Sequence, residues 1–261
     1  MEFSEDKLEK RVVELANLPK HPGISQEITK LTERQDTNAG DVAAVISSDQ
    51  VLAAKVLRLV NSPVYGFPGR ISSITHAVVL LGYNVVKGLA LGTAIFGSLG
   101  HHIEGLWEHS FGCAVLSKRL AQKVGLRDPD EVLVAGLLHD LGKVVLAYLE
   151  PDAYDRAMGR AQSERLHIAE CERDVFSIDH TRVNRWLAEE WHFPKRLTEP
   201  IVHHHNPDAA KTSPGAVDVV HVTNILARAM GYGYAGDPTF PSLNHEAFER
   251  LNVSFEGLDT V

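Results

Sequence analysis

Cysteine is scarce in this sequence, and its two copies share no motif. Cys113 and Cys171 lie far apart and match neither a paired metal motif nor a redox motif, so a disulfide framework and a thiolate metal site are both excluded. The N-terminal segment "MEFSEDKLEKR" is charged and amphipathic, whereas a secretory signal needs an apolar core. We therefore expect a protein of the reducing cytoplasm.

Long hydrophobic runs and excess positive charge are also missing. The most hydrophobic segment, residues 85–100, contains Lys87 and four glycines, which is typical of a buried helix and not of a membrane span. Residues 1–100 hold ten basic and ten acidic groups, so the remaining 16 basic and 24 acidic groups of residues 101–261 carry the whole net charge of −8. We therefore expect neither a nucleic-acid partner nor a membrane.

Alternation of the kind that predicts β-strands does not persist anywhere in the sequence. Apolar residues recur instead at helical spacing, and the clearest stripes are Leu8, Val12 and Leu15, then Ile24, Ile28 and Leu31, then Leu52, Val56, Leu59 and Val60. The pattern predicts an all-α chain. A neutral helical part (residues 1–100) would abut a second helical part (residues 101–261) that holds 12 of the 14 histidines.

The segment "LRDPDEVLVAGLLHDLGKVVLAYL" predicts a buried helix with a marked start. Asp128 is the expected N-cap, Pro129 suits the first helical position, and Glu131 completes a capping-box-like arrangement. The apolar run then meets His139 and Asp140. Burying an imidazole beside a carboxylate is costly unless a metal ion or a hydrogen bond compensates.

Histidines in four further segments can approach this pair. The segments are "LWEHSFG" with His109, "DHTRVNRW" with His180, "VHHHNP" at 202–207 and "DVVHVTN" at 218–224. We expect Asp179 to cap the helix that His180 opens. Because successive helical residues diverge by about 100°, we expect His204 and His205 to face inward and His203 to face away. Imidazole and carboxylate ligands from separate helices suit iron, manganese, zinc or nickel.

Each signal also has a purely structural interpretation. A lone His109 on an amphipathic helix is more often a hydrogen-bonded core histidine, and the three histidines at 203–205 can form a solvated helix end. Asn224 can simply bond to the backbone. These interpretations would all have to hold at once, so the sequence as a whole favours a metal site, or a site descended from one.

Two sets of motifs resemble a known family. "HS", "LLHDLGK", "DH" and "HHNP" follow the order found in the HD superfamily of metal-dependent phosphohydrolases. Residues 47–91, with "LRLVNSPVYG" and "ISSITHAVVLLG", resemble more specifically the HDOD domain, the HD-related output domain of bacterial signalling proteins. The resemblance covers about residues 15–230. It implies a helical HD-like bundle with an N-terminal helical subdomain packed against it.

The resemblance also implies roles for individual residues. The implied metal ligands are His109, His139, Asp140, His180, His204, His205 and Asn224. Asp140 could bridge two ions, and in an active enzyme Lys143 would contact a substrate phosphate, which would make Asp140 and Lys143 the catalytic residues. The implied cofactor is a divalent transition metal (iron, manganese, nickel or zinc) in a mononuclear or dinuclear site.

The sequence departs from the superfamily pattern at several positions. Asn224 stands where the last ligand is normally an aspartate, and a neutral amide oxygen is a poorer ligand for a dication. Asp218 lies six residues earlier, which turns it to the other side of the helix. The glycine–tyrosine–proline signature of the HD-GYP phosphodiesterase branch is absent after the paired histidines, and Gly105 stands where that branch has an extra glutamate.

These departures favour a non-catalytic regulatory protein of bacterial signal transduction. It would keep the metal site in part or whole and act on a signalling protein partner, with a nucleotide-like molecule as a further candidate ligand. The alternative is a metal-dependent phosphohydrolase that acts on a nucleotide, phosphomonoester or phosphodiester at a dinuclear site.

Two further segments carry expectations. In the loop 61–73, Tyr65, Phe67 and Arg70 either cover the metal pocket or a partner surface, or the aromatic residues complete the core, which is the commoner case. The tail "SFEGLDTV" (254–261) begins like another helix.

Overall fold

The computed structural model describes residues 4–17, 39–48, 50–67 and 71–254. These residues form α-helices joined by turns and short 3₁₀ segments, with no β-strand among them, which confirms the all-α prediction. The helices are α1 (Glu5–Asn17), α2 (Ala39–Ser48), α3 (Gln50–Val60), α4 (Ile74–Leu81), α5 (Tyr83–Leu99), α6 (Leu106–Lys123), α7 (Pro129–Leu138), α8 (Leu141–Leu149), α9 (Pro151–Glu164), α10 (Ile168–Phe176), α11 (His180–Glu190), α12 (Lys195–His203), α13 (Pro214–Ala229) and α14 (His245–Arg250).

One apolar core contains side chains from Leu8 near the start of the chain to Leu251 near its end. Helix α6 packs along α7 and against α13, and α12 packs on both α7 and α13. Helices α8 and α11 pack on each other, and α11 also contacts α12. The resulting bundle surrounds the turn between α7 and α8.

The helices of the N-terminal part join this bundle through α5. Helix α5 packs on α7 and α8, and α2, α3 and α4 each pack on α5. Gly88 permits the close approach of α5, because a Cβ at this position would overlap the side chain of Val134 in α7. The neighbouring Lys87 is buried and donates a hydrogen bond from Nζ to the carbonyl oxygen of Trp191, at the end of α11. Helix α1 packs separately on α8 and α11.

The apolar stripes behave as the helical periodicity predicts. Leu8 and Val12 of α1 are buried, as are Leu52, Val56 and Val60. The stripe at 24–31 and the tail after Ser254 lie outside the described residues.

The segment Pro129–Leu149 forms the centre of the core. Of the described segments it, and not 85–100, is long and apolar enough to cross a membrane, and 89% of its most apolar window is buried inside the protein. Pro129 lies in the first turn of α7 as predicted. Asp128 occupies the N-cap position as predicted, but its side chain makes no capping hydrogen bond, and Glu131 forms a salt bridge with Arg196 in place of the capping-box contact.

The loop after α3 is closed by Asn61. Its Nδ2 donates to the carbonyl oxygens of Leu57 and Ile71, and its Oδ1 accepts from the Ile71 amide, each at 2.8 Å. These bonds satisfy backbone groups on both sides of the loop, which explains why an asparagine follows α3 in "LRLVNSPVYG".

The aromatic residues of the same loop complete the core. The rings of Tyr65 and Phe67 stack with centroids 5.8 Å apart, and both side chains pack against buried residues. The ammonium of Lys118 lies 4.2 Å from the centre of the Tyr65 ring. Of the two interpretations offered by the sequence, this arrangement fits the one in which the aromatic residues of the loop complete the core. Arg70 lies outside the described residues.

Candidate metal centre

Several elements of the bundle bring imidazoles towards one carboxylate, that of Asp140. His139 and Asp140 form the turn between α7 and α8, and His109 lies in the first turn of α6. His180 is the first residue of α11, with Asp179 as the predicted N-cap that accepts from the Thr181 amide at 3.0 Å. The remaining two, His204 and His205, directly follow α12.

The first ligand group consists of His109, His139 and Asp140. The Nε2 atoms of His109 and His139 lie 3.6 and 3.3 Å from Asp140 Oδ2. All three side chains are fully buried. Their nearest ligand atoms lie within 4.8 Å of one another, so one ion could contact all three.

The second ligand group consists of Asp140, His180, His204 and His205, with ligand atoms again within 4.8 Å of one another. Asp140 Oδ1 lies 3.4 Å from His180 Nε2 and 3.8 Å from His204 Nε2. The Nε2 atoms of His180 and His205 are 3.2 Å apart. Each oxygen of Asp140 therefore faces a different group of imidazoles.

Backbone carbonyls orient two of the imidazoles. His139 donates from Nδ1 to Gly136 O at 2.7 Å, and His204 donates from Nδ1 to Ile201 O at 2.9 Å. Both acceptors belong to the last turn of a helix, where carbonyls lack helical partners. With the proton of the neutral ring on Nδ1, the lone pair of Nε2 points towards Asp140, as a metal ligand requires.

Glu172 orients a third imidazole, and sequence reasoning missed it. Its Oε2 accepts from His180 Nδ1 at 2.6 Å and from the His180 amide at 2.9 Å, while Oε1 accepts from the Tyr154 hydroxyl at 3.0 Å. A carboxylate behind a ligating histidine fixes its tautomer and raises its basicity. The available sequence signal was its spacing, four residues from Ile168 and from Phe176, which places it on the apolar face of the amphipathic helix α10.

Asn184 is the second residue that sequence reasoning missed. Its Nδ2 donates to the carbonyl oxygen of His139, and its Oδ1 accepts from the Gly142 amide at 2.7 Å. The side chain therefore holds the turn that carries the histidine–aspartate pair. Gly142 is needed here, because a Cβ at this position would overlap the His180 carbonyl oxygen of α11.

The protonation states suit a cation site. Burial lowers the pKa of His109 to about 3 and lowers the pKa of His204 and His205 well below the ordinary value, so these rings are neutral at pH 7. Burial opposes ionisation of Asp140, but His139 and Lys143 together hold its pKa well below the usual range. Asp140 in turn raises the pKa of His139 to about 10 despite its burial. A metal ion would displace that proton, since imidazole binds metals only in its neutral form.

Several buried polar atoms at this centre have no hydrogen-bond partner among the described residues. They include Nε2 of His109, His139 and His204, and Oδ1 of Asp140. Unpartnered buried polar atoms are rare in folded proteins and call for an explanation such as a bound ion. The donor set and its unsatisfied atoms therefore fit a divalent transition metal.

The other predicted residues belong to neither ligand group. Asn224 is buried in α13, and its Oδ1 has no hydrogen-bond partner among the described residues. His203 lies outside both ligand groups, as expected. Asp218 faces away, where it pairs with Arg250 at 2.7 and 2.9 Å, again as expected.

Lys143 contacts the carboxylate of Asp140 directly. Its Nζ lies 2.8 Å from Asp140 Oδ2 and 2.9 Å from the carbonyl oxygen of Ala235, and the side chain is fully buried. In this arrangement the ammonium neutralises Asp140.

The same architecture occurs in other proteins. The sequence matches the HDOD domain family over residues 18–207. An HDOD domain protein of unknown function from Geobacter sulfurreducens is 26% identical, with a TM-score of 0.68 over 97% of this chain and 90% of that chain. A candidate signal transduction protein from Marinobacter aquaeolei VT8 is 23% identical (TM-score 0.70, 97% of this chain, 60% of that chain), and a candidate phosphohydrolase from Shewanella amazonensis SB2B is 21% identical (TM-score 0.66, 97% and 96%). The last two share the fold.

An uncharacterised protein of Treponema pallidum is 28% identical over 223 residues, which are 81% of this chain and 42% of that protein. The chain thus spans less than half the length of this relative. The family match itself covers most of the chain and includes both the loop closed by Asn61 and the turn at Asp140. The chain therefore belongs to the HDOD domain family.

Proposed function

We propose that this protein is a non-catalytic regulatory module of bacterial signal transduction that holds a divalent transition metal. The enclosure of Asp140 carries the proposal. The carboxylate, the imidazoles of His109, His139, His180 and His204, and the ammonium of Lys143 are all 0% exposed. A phosphoryl group could reach Asp140 itself only after a rearrangement of the bundle, although His205 of the second ligand group is partly exposed.

Two residues weaken the case for turnover. Lys143 is the predicted contact for a substrate phosphate, yet its ammonium is occupied by Asp140 Oδ2 and the Ala235 carbonyl oxygen. Asn224 contributes no negative charge where an active relative would have a carboxylate. Both features reduce the charge available to hold two dications against a substrate.

The proposed site holds two metal ions, because Asp140 faces two groups of imidazoles. Iron, manganese, nickel and zinc all suit these ligands. A bound ion would act as a Lewis acid and would tie together the helices that supply its ligands. The output would pass to a signalling protein partner, in keeping with the name of the Marinobacter neighbour. We place the protein in the cytoplasm, since its two cysteines are free and buried.

Metal analysis combined with activity assays tests this proposal. Protein purified anaerobically should contain near-stoichiometric transition metal but release no product from 4-nitrophenyl phosphate, bis(4-nitrophenyl) phosphate or a cyclic dinucleotide. Asp140→Ala should lose the metal, because both ligand groups share this residue. His203→Ala is the matched control, since His203 adjoins a ligand but belongs to neither group.

The second candidate function is phosphohydrolysis. It is favoured by one observation, that His205 both belongs to a ligand group and lines an open cleft. Hydrolysis that persists in His76→Ala, an exposed histidine outside the cleft, and disappears in Asp140→Ala would establish this function and overturn the regulatory one. Protein without transition metal after anaerobic purification would exclude both.

A further inference from the structure

A cleft opens beside the metal centre. Its volume is about 710 Å³, within the range of small-molecule sites, and it is bordered by α10, α11, the end of α12 and the segment 239–242. His205 and His167 lie at its inner end, with ring centroids 4.7 Å apart and planes at 83°. The cleft therefore connects solvent to the second ligand group.

The lining of the cleft is positively charged. Four arginines and two carboxylates border it, an excess of two positive charges in a chain whose net charge is −8; they are Arg165, Arg173, Arg182, Arg185, Glu170 and Asp179. Arg173 pairs with Asp179, and Arg182 pairs with Glu5. Neither Arg165 nor Arg185 forms a salt bridge with any described residue. Their guanidinium groups are available for an anion, and arginine favours phosphate geometry.

His167 adds an uncommitted donor at the inner end. Its Nδ1 accepts a hydrogen bond from the Ala169 amide at 3.3 Å, so the neutral ring carries its proton on Nε2. That Nε2 is buried and has no partner among the described residues. A buried donor without an acceptor destabilises the fold, and a ligand oxygen at this position would satisfy it.

The outer rim of the cleft carries an aromatic ring. Phe240 is 59% exposed and lines the cleft beside Pro241. An exposed aromatic ring can stack on any nucleobase, because every base offers a π-face. The cleft thus offers phosphate-binding groups inside and a stacking surface outside.

We propose that the cleft binds a nucleotide, with its phosphate between Arg165, Arg185 and His167 and its base against Phe240. The inference rests on the proposed function, because the nucleotide would be the signal that the regulatory module reads. Its phosphate would lie next to His205, so occupancy of the cleft and the state of the second ligand group would be coupled.

Fluorescence titration with N-methylanthraniloyl ADP and GDP tests the proposal, on protein as isolated and after chelator treatment. We expect saturable binding that unlabelled ADP or GDP reverses. Arg185→Ala and His167→Gln should each weaken it by about tenfold or more, the effect of losing one charge-assisted or buried hydrogen bond. Arg127→Ala, an exposed arginine outside the cleft, is the matched control and should bind like the unaltered protein.

Phe240→Ala separates the base from the phosphate. It should weaken nucleotide binding but leave competition by inorganic phosphate unchanged. If inorganic phosphate competes as well as ADP and GDP do, the site takes a simple anion and the nucleotide proposal is overturned. The absence of saturable binding at millimolar probe concentration would also overturn it. So would binding by Arg185→Ala and His167→Gln that is as tight as binding by the unaltered protein.

These outcomes are distinct from failure of the proposed function. Release of phosphate from a bound nucleotide, or absence of metal, would overturn the regulatory role. The titration would still measure nucleotide binding in the cleft. Loss of nucleotide binding with metal retained and no hydrolysis would remove the cleft proposal alone.

Discussion

Asp140 is the residue on which the candidate centre depends. Its two oxygens face different imidazoles, with His139 Nε2 at 3.3 Å from Oδ2 and His180 Nε2 at 3.4 Å from Oδ1. The carboxylate is fully buried and remains ionised because cationic groups surround it. A single substitution here would therefore disturb both ligand groups, whereas each of the histidines belongs to only one group.

Glu172 gives a more selective test at the same scale. Glu172→Gln keeps the shape of the side chain but removes the charge that supports His180, so metal affinity of the second group should fall by roughly 10–100-fold. The expected result is loss of part of the metal in competition with a chromophoric chelator. Glu170→Gln, an exposed residue of the same helix, is the control and should retain the full metal content. Equal retention by both variants would show that Glu172 has no supporting role.

The sequence indicated the candidate ligands more clearly than the residues that position them. Histidine and aspartate at the ends of apolar segments are unusual enough to be noticed, and six of the seven predicted ligands lie together. Glu172 shares a helix face with apolar residues, but that spacing does not show what its side chain contacts, since the contacts depend on packing of α10 against its neighbours. Asn184 has the same difficulty, because its partners lie 42 and 45 positions away.

At the level of elements, the close contact between α8 and α11 sets the geometry of the centre. Gly142→Ala would place a methyl group against the His180 carbonyl oxygen and force the helices apart. We expect a loss of about 1–3 kcal/mol in the free energy of unfolding, measured by chemical denaturation, together with reduced metal content.

Gly159 provides the control for this substitution. It lies in α9, and no atom lies within 4 Å of the position that a Cβ would take, so Gly159→Ala should be neutral or stabilise the protein by about 0.5–1 kcal/mol through helix propensity. If Gly142→Ala is as stable as Gly159→Ala, the close contact between α8 and α11 at Gly142 does not contribute to stability as expected.

The helices themselves were largely predictable, but not their detailed ends. Apolar periodicity identifies a buried face wherever the helix has one, and Pro129 marked the start of α7 correctly. Asp128 is the N-cap residue but the capping-box contact is missing, because Glu131 pairs with a tertiary partner, Arg196. A single sequence does not reveal that competition.

At the scale of the whole molecule, Lys87 joins the N-terminal helices to the histidine-rich bundle. Burial lowers its pKa from 10.5 to about 7. Between these values the unfolded chain binds a proton that the folded chain does not, so stability rises with pH from about 7 to 10.5. Below pH 7 the cost of burying the charge is fully present.

Lys87→Met should remove this contribution. We expect the variant to exceed the unaltered protein in stability at pH 7 and to lose most of that advantage by pH 9.5, measured by urea unfolding at both values. Lys195→Met, which replaces an exposed lysine, should show no such difference. A constant offset between Lys87→Met and the unaltered protein at both pH values would contradict the assignment.

The arrangement of the two halves lay beyond the sequence. Helix α1 belongs to the neutral N-terminal part by composition, yet it packs on α8 and α11, where Glu5 pairs with Arg182 at 2.8 Å. A periodic stripe shows which face of a helix is buried but not which helix covers it.

The imidazoles are oriented by different kinds of hydrogen-bond partner, so a movement of one helix would not affect them all equally. His139 and His204 are held by carbonyl oxygens three residues earlier in their own chain segment, whereas His180 depends on Glu172 in a separate helix. A small outward movement of α10, which also borders the arginine-lined cleft, would release His180 while the other two rings stayed aimed at Asp140. Such a centre would lose one imidazole before the others, so its response to the movement would be graded and not all-or-none.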